Sequence, residues 1–264
     1  RRKIELLEIA KEKEIFQAKI EFFTNGAHEI RTPLTLIKGP LEKVIKKAGE
    51  VPEIKDSLHI MDKNTNRLID LTNQLLDFRQ TEIRGFSLNF VKANISELVE
   101  ETWQNFKSLA EQKSLDFSIQ LPSAEIWASV DVEATNKILS NLFSNAVKYA
   151  DRKVQSHLRP VSPKNNYFTL EISNDGYLIP ANMKEKIFDP FFRLRETEKQ
   201  KGTGIGLALA RSLTLLHKGT LELREPEKDL NDFILKMPLR QDNENGFTVE
   251  KPVIHSITEA DSHS

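Results

Sequence analysis

The stretch FFTNGAHEIRTPLTLI, residues 22–37, carries apolar side chains at Phe23, Ala27, Ile30, Leu34 and Ile37. The same steps of four and three extend upstream to Phe16 and Ile20 and downstream to Leu41 and Val44. Such alternation marks the seam of a coiled coil or helical bundle. It predicts one long helix from the start of the chain to about residue 47. Upstream of Phe16 the register meets Lys13 and Glu12, so residues 1–15 follow a different seam. Residues 46–53, KKAGEVPE, then supply a glycine and a proline that stop one helix and start another. A second helical pattern, Ile54, Leu58, Met61, Leu68, Leu75 and Leu76, runs to RQTEIRG at 79–85. Two long helices joined by a short turn predict an antiparallel hairpin. Alone, a hairpin cannot bury both apolar faces, and pairing into a four-helix dimer bundle resolves that.

After Gly85 the texture changes. Period-two stretches occur at FSLNF, LDFSIQL, IWASVD, YFTLEIS, GTLEL and DFILKMPL, with helical patterns at about 95–112, 132–149 and 204–217. Six or seven strands and three helices predict a two-layer α/β sandwich. The expected organisation is multidomain, α followed by α+β. It comprises an N-terminal signalling helix at 1–15, the helical hairpin at 16–84, the sandwich at 85–240 and a linker or disordered tail at 241–264. That last segment is acidic and poor in aromatic residues.

Composition narrows the function classes. A net charge of -1 over 264 residues gives no reason to expect nucleic acid as a partner of this segment. With no cysteine, disulfides and thiolate metal sites are excluded. No apolar run approaches the roughly 18 residues that span a bilayer, and no signal-peptide pattern appears in the opening residues. The opening Arg1-Arg2-Lys3 runs straight into helical sequence without a cap, as a cut inside a longer helix would.

His28 lies beside the helical seam and not in it, because its neighbours three and four residues away are Thr24, Asn25, Arg31 and Thr32. Most helical histidines in such a place are surface residues without consequence. Here Pro33 denies the Glu29 carbonyl its helical partner, and Gly26 loosens the same turn, so local flexibility brackets the imidazole. A neutral ring nitrogen is a competent nucleophile at pH 7. Glu29, next in sequence, could hold one ring N–H and leave the other nitrogen free to attack, although i,i+1 neighbours diverge on a helix. Thr32 lies one turn on along the same face. One His with one Glu is too few ligands for zinc.

Two further stretches suit a phosphate. NKILSNLFSNAVKY, 136–149, sets Asn141 and Asn145 four apart on one helical face, with Lys148 and Tyr149 following. An Asn carbonyl there is a reasonable oxygen donor to Mg²⁺. KGTGIGLALARSL, 201–213, gathers Gly202, Gly204 and Gly206 just before a helix, where close backbone approach and free N–H groups favour phosphate. It is neither the dinucleotide fingerprint nor a Walker loop. SNDGYLIP, 173–180, follows an apolar strand and turns at Gly176, while IFDPFFRL, 187–194, reads as an aromatic plug. Between that plug and the glycines, RETEKQK resembles a mobile cover, with Arg193, Arg195, Lys199 and Lys201 as candidate phosphate partners.

In order, AHEIRTPL, NLFSNAVKY, NDGYLIP, FDPFFRL and GTGIGLAL resemble the H, N, G1, F and G2 boxes of sensor histidine kinases. The likeness covers about residues 16–240 and is greatest to the transmitters of hybrid two-component sensors. It implies a dimerisation and phosphoacceptor hairpin followed by a gyrase-type ATP-binding sandwich. It also implies ATP and Mg²⁺ as cofactors, and a homodimer that relays phosphate from His28 to an aspartate of a response-regulator receiver, in cis or in trans. A sensor and transmembrane region would lie upstream, leaving this segment cytoplasmic beneath a bacterial inner membrane. On that pattern Glu29 assists the kinase step and Thr32 assists dephosphorylation of the receiver. Asn145 holds Mg²⁺ with Asn141 in support, Lys148 contacts phosphate and Tyr149 stacks on adenine. The loop Gly202, Gly204, Gly206 and Leu207 cradles the phosphates.

The sequence departs from the pattern at the G1 box. Aligning on Gly176 and Pro180 puts Asn174 where an Asp usually accepts the adenine amino hydrogen, which implies retained but weaker adenine binding. Gyrase-type ATPases carry a water-activating Glu where this chain has Asn141, which cannot act as a base. The site is therefore expected to hold ATP without rapid hydrolysis. The competing expectations are a plain ATPase, which releases phosphate without His28, and a dimeric scaffold with a decayed kinase, which binds no ATP.

Overall fold

A computed structural model of the chain describes residue 30 and residues 34–46, 52–82, 87–162, 166–197, 200, 202–224 and 229–240. The expectations for residues 1–29, for the junction at 84–85 between hairpin and sandwich and for the tail at 241–264 lie outside the described residues. So do His28, Glu29 and Thr32.

Helix α1 covers 34–46 and α2 covers Pro52–Glu82, where the two seams predict helices. Along α1 the seam divides by turn: Leu34 and Leu41 are buried, while Ile37 and Val44 stay about half exposed. Helix α2 behaves differently at its two ends. Ile54, Ile60 and Met61 face outward near its start, but Leu75, Leu76 and Phe78 near its end join the core of the sandwich.

The sandwich begins with strand β1, Val91–Asn94, and helix α3, Ile95–Gln112. Next come β2, Asp116–Gln120, β3, Trp127–Val130, and helix α4, Val132–Tyr149. Strands β4, Lys153–Leu158, and β5, Tyr167–Asn174, precede helix α5, Gly206–Leu216. Strands β6, Thr220–Leu223, and β7, Asn231–Pro238, complete it. Five strands form one sheet in the order β2-β4-β5-β7-β6, parallel only between β2 and β4. β1 and β3 make a separate antiparallel ribbon.

Local chemistry sets the helix starts. The Asn94 side chain accepts from the Glu97 N–H, and Asp131 accepts from the Ala134 N–H at 2.9 Å. Each such cap is worth about 1 kcal/mol. At the far end of α4, Lys113 donates to the carbonyls of Val147 and Lys148 at 2.9 and 3.0 Å. A cation there satisfies orphan carbonyls and opposes the negative end of the helix dipole. Val99, Ile138, Phe143 and Leu209 on the helices then pack with Leu170, Ile172 and Leu235 of the sheet into one core.

One strand expectation is corrected, and one strand is added. FSLNF is not a strand in its described residues 87–90, and pairing starts only at Val91, opposite Val130. Conversely, KVQSHL, which is not among the period-two stretches named above, forms β4. Its inward positions are Val154, Ser156 and Leu158, and Ser156 is buried at a place where an apolar residue would have signalled a strand.

Candidate functional site

A cavity of about 400 Å³ opens where α4, the start of α5, the ends of β5 and β7, and α2 converge. It lies within the size range of small-molecule sites. Asn141, Asn145, Lys148 and Tyr149 line it from α4, and Gly202, Gly204, Gly206 and Leu207 line it from the glycine loop. Asn174 lines it from the end of β5. The structure therefore brings together nearly all the expected nucleotide residues of the sandwich. Gly176 is the exception. It stands behind the lining, so close to α4 that a Cβ there would meet the Tyr149 carbonyl oxygen.

The α4 residues differ in their engagement. Asn141 donates from Nδ2 to the Lys137 carbonyl at 2.8 Å, and its Oδ1 abuts Gly206 so closely that any Cβ there would lie 2.7 Å away. The Asn145 side chain makes no hydrogen bond among the described residues and is partly exposed to the cavity. Lys148 Nζ donates to the Tyr149 hydroxyl at 2.8 Å and rides over that ring at 4.3 Å from its centroid. One face of the Tyr149 ring is thus occupied by a cation. Glycine is needed at 204, where φ is +77° and a Cβ would lie 2.7 Å from the Phe192 carbonyl oxygen. No side chain caps the start of α5, which leaves its first turn of N–H groups facing the loop.

Asp175 and Asn174 divide their work. Asp175 Oδ1 accepts the N–H groups of Asp151, Arg152 and Lys153 at 3.1, 3.0 and 2.9 Å. Burial raises the pKa of this carboxyl, but those backbone donors outweigh it and hold the pKa below its ordinary value. Asp175 is thereby spent on closing the turn after α4. In the plug segment, Ile187 and Phe188 are buried as expected, while Phe192 reaches the cavity. Arg193 is bonded to the carbonyls of Thr197 and Gln200, which folds the start of the cover back on itself.

Sequence reasoning missed two contributors. Arg67, Asp70, Leu71 and Gln74 of α2 line the cavity, and Gln74 Oε1 accepts from the Thr203 hydroxyl at 3.1 Å. Lys137 of α4 ties the same helix down through Asp77 at 3.1 Å, with Glu133 on its other side at 2.9 Å. Burial would lower the Lys137 pKa, yet the two carboxylates outweigh it and raise it. The other contributor is Asn231, opposite Asn174 in the β5–β7 register. It accepts from the Ile179 N–H at 2.9 Å and donates to the Tyr177 carbonyl at 3.0 Å. Nothing in the sequence near 231 signals that role.

Comparison with known proteins follows the same division. Residues 18–82 match the His Kinase A (phospho-acceptor) domain. Residues 130–241 match the histidine kinase-, DNA gyrase B-, and HSP90-like ATPase. Hybrid signal transduction histidine kinase D of Dictyostelium discoideum is 34% identical over 86% of the chain and 15% of its own length. Histidine kinase P4 of Formosa agariphila is 33% identical over 89% of the chain and 18% of its own length. The chain thus spans less than a fifth of these relatives. Among solved structures, full-length ShkA in complex with AMPPNP shares the fold. Its TM-score is 0.69 at 19% identity, over 80% of this chain and 44% of that one. Histidine kinase ThkA in complex with response regulator protein TrrA gives a TM-score of 0.58 at 26% identity, over 83% of this chain and 61% of that one.

Proposed function

The chain belongs to the sensor histidine kinase family, and from that we propose that it is an autokinase transferring the ATP γ-phosphate to His28 for relay to a receiver aspartate. The observation that carries this reading is the cavity, where Asn141, Asn145 and Lys148 face the glycine loop across one space. The phosphates of ATP would lie against the uncapped start of α5, with Lys148 as their cation. Mg²⁺ fits the donor set at Asn145, a partly exposed amide oxygen with no competing bond. Among the described residues there is no cluster of three or more acidic or histidine side chains to hold a metal more tightly. An ion that keeps most of its waters and leans on phosphate oxygens suits such a site. Bound there, Mg²⁺ would neutralise charge on the phosphates.

The residues of this chain perform the rest. Asn141 is committed to Lys137 and Gly206, so it braces the loop and cannot take a proton. No carboxylate of the sandwich lines the cavity among the described residues. Asp70 of α2 is the single acid that lines it among the described residues. Water in the cavity therefore lacks a base from the domain that would bind ATP, which favours the kinase reading over a steady ATPase. His28 would attack the γ-phosphorus through its unprotonated ring nitrogen as the bond to the ADP oxygen breaks, with Glu29 taking up the proton from the other ring nitrogen. Thr32 would position water when the receiver is dephosphorylated. The exposed seam of Ile37 and Val44 supports a homodimer, and the family supports a response-regulator receiver as partner and a membrane sensor upstream. Among the described residues no helix is long and apolar enough to cross a membrane.

Incubation with γ-labelled ATP and Mg²⁺, beside a His28→Ala variant, tests the reading. Acid-labile label on the wild type alone is the expected result. Label that survives the substitution, or steady phosphate release without any label, would sink it in favour of the ATPase.

A further inference from the structure

The cavity has two chemically different ends. One holds the glycines, Lys148 and Asn145. The other is walled by Ile179, Ile187 and Phe233, and the buried polar side chains there are Asn174 and Asn231. The flatter chemistry of this second end suits a heterocyclic base, and the two asparagines are the groups that could read its edge.

Hydrogen bonding separates them. Asn231 is spent at both ends of its amide, on the Ile179 N–H and the Tyr177 carbonyl. Asp175 is spent on residues 151–153. Asn174 is 2% exposed, and its Nδ2 has no hydrogen-bond partner among the described residues. Buried amide donors are nearly always paired in native proteins. This unpaired Nδ2, closed off beside Gly176, leaves the amide of a cavity-lining residue without a bond that holds it in one orientation.

Resting on the nucleotide reading above, we infer that Asn174 reads the purine 6-position and admits 6-oxopurine triphosphates as well as ATP. The chemistry is that of an amide against a carboxylate. A carboxylate only accepts, so it pairs with the 6-amino group of adenine and repels the 6-oxo group of hypoxanthine or guanine. An amide carries one acceptor and two donors, and a half-turn about its last bond exchanges them. No bond to Nδ2 fixes which side faces the cavity. With Oδ1 inward, Asn174 accepts from the adenine amino group. With Nδ2 inward, it donates to the 6-oxygen, and neither arrangement buries a charge.

Competition against a fluorescent ATP analogue, with Mg²⁺-ATP and Mg²⁺-ITP as competitors, tests this on the wild type, Asn174→Asp and Asn174→Ala. ITP is chosen because it changes the 6-position without adding the 2-amino bulk of guanine. The wild type should bind the two within about tenfold of each other, and Asn174→Asp should widen the ratio at least about tenfold in favour of ATP. Asn174→Ala should weaken both and leave the ratio near that of the wild type. A wild-type preference for ATP beyond about a hundredfold, or an Asp variant with an unchanged ratio, overturns the inference. The wild-type ratio decides alone where Asn174→Asp does not fold. Wild-type protein that binds neither nucleotide overturns the nucleotide reading itself.

Discussion

Phe143 of α4 and Ile37 of α1 are both large apolar residues on amphipathic helices, yet Phe143 is fully buried and Ile37 is 53% exposed. The contrast holds beyond the pair. Ile138, Leu170 and Leu235 are enclosed by the sandwich itself, whereas Ile60 of α2 is 62% exposed. One region completes its core with its own chain. The other presents an apolar stripe that a second copy would complete, as proposed above. On the proposed reading, phosphotransfer would join a domain that encloses its own core to helices whose exposed stripe a second copy would cover.

The sharpest way to break that comparison is to cut the same kind of side chain from both sides. Phe143→Ala should destabilise the sandwich by about 3–5 kcal/mol in chemical denaturation. Ile37→Ser should move that transition by less than about 0.5 kcal/mol while weakening self-association in sedimentation. Equal shifts from the two would show that the helical stripe is packed within one chain after all.

A smaller effect is expected at the glycine loop. Gly204→Ala forces a side chain into a positive-φ position against the Phe192 carbonyl, at a cost of about 1–3 kcal/mol. Nucleotide affinity should fall with the far-UV spectrum unchanged. Full affinity in this variant would mean that the loop does not need its observed shape.

His217 sharpens the comparison through pH. It is fully buried, holds the Leu213 carbonyl through Nδ1 and accepts the Asp131 N–H at Nε2. Burial is the main cause that pushes its pKa below the ordinary value, so the folded protein keeps it neutral. The unfolded chain takes up a proton near pH 6.5, and the folded chain only at lower pH. Stability from this group is therefore complete above about pH 6.5 and is lost as pH falls towards the folded value. His217→Gln should flatten the slope below about pH 6.5, at a fixed cost of about 1–3 kcal/mol. An unaltered slope would assign the pH dependence elsewhere.

Least affected should be the stability of Asp77→Ala, because Asp77 and Lys137 are both partly exposed and such a pair contributes about 0.5 kcal/mol. Its consequence should appear in docking. Amide-exchange protection of α2 around Gln74 and Asp77 should fall, as should protection of the Thr203 loop that Gln74 contacts. Unchanged protection would leave the apolar contacts of Leu75 and Phe78 as the whole anchor.

Much of the fold could be read along the chain because its determinants are local. Asp131 and Asn94 cap helices whose first turns follow within three residues, and α3 and α4 begin where the helical patterns at about 95 and 132 place them. Asn141, Asn145 and Lys148 share one face because helical periodicity alone puts them there. The glycines gather before α5 because the loop approaches Phe192 and Asn141 too closely for any side chain. Strand β4 escaped notice because Ser156 broke its apolar alternation, and FSLNF misled because alternation supplies no pairing partner.

What the sequence by itself determined was the helices, the order of the boxes and the identity of the polar groups offered to a nucleotide. Only the tertiary structure decided which of those groups is still available. Asp175 offers as good an acceptor as Asn174 until the turn after α4 consumes it, and Asn231, which no local pattern marks, is brought beside Asn174 by the β5–β7 register with its own hydrogen bonds already spent. Likewise the bond from Thr203 to Gln74 spans 129 residues, and no local pattern announces it. Caps and periodicities act within a turn of helix, whereas the competition for a buried donor is settled by whatever distant backbone packing brings beside it.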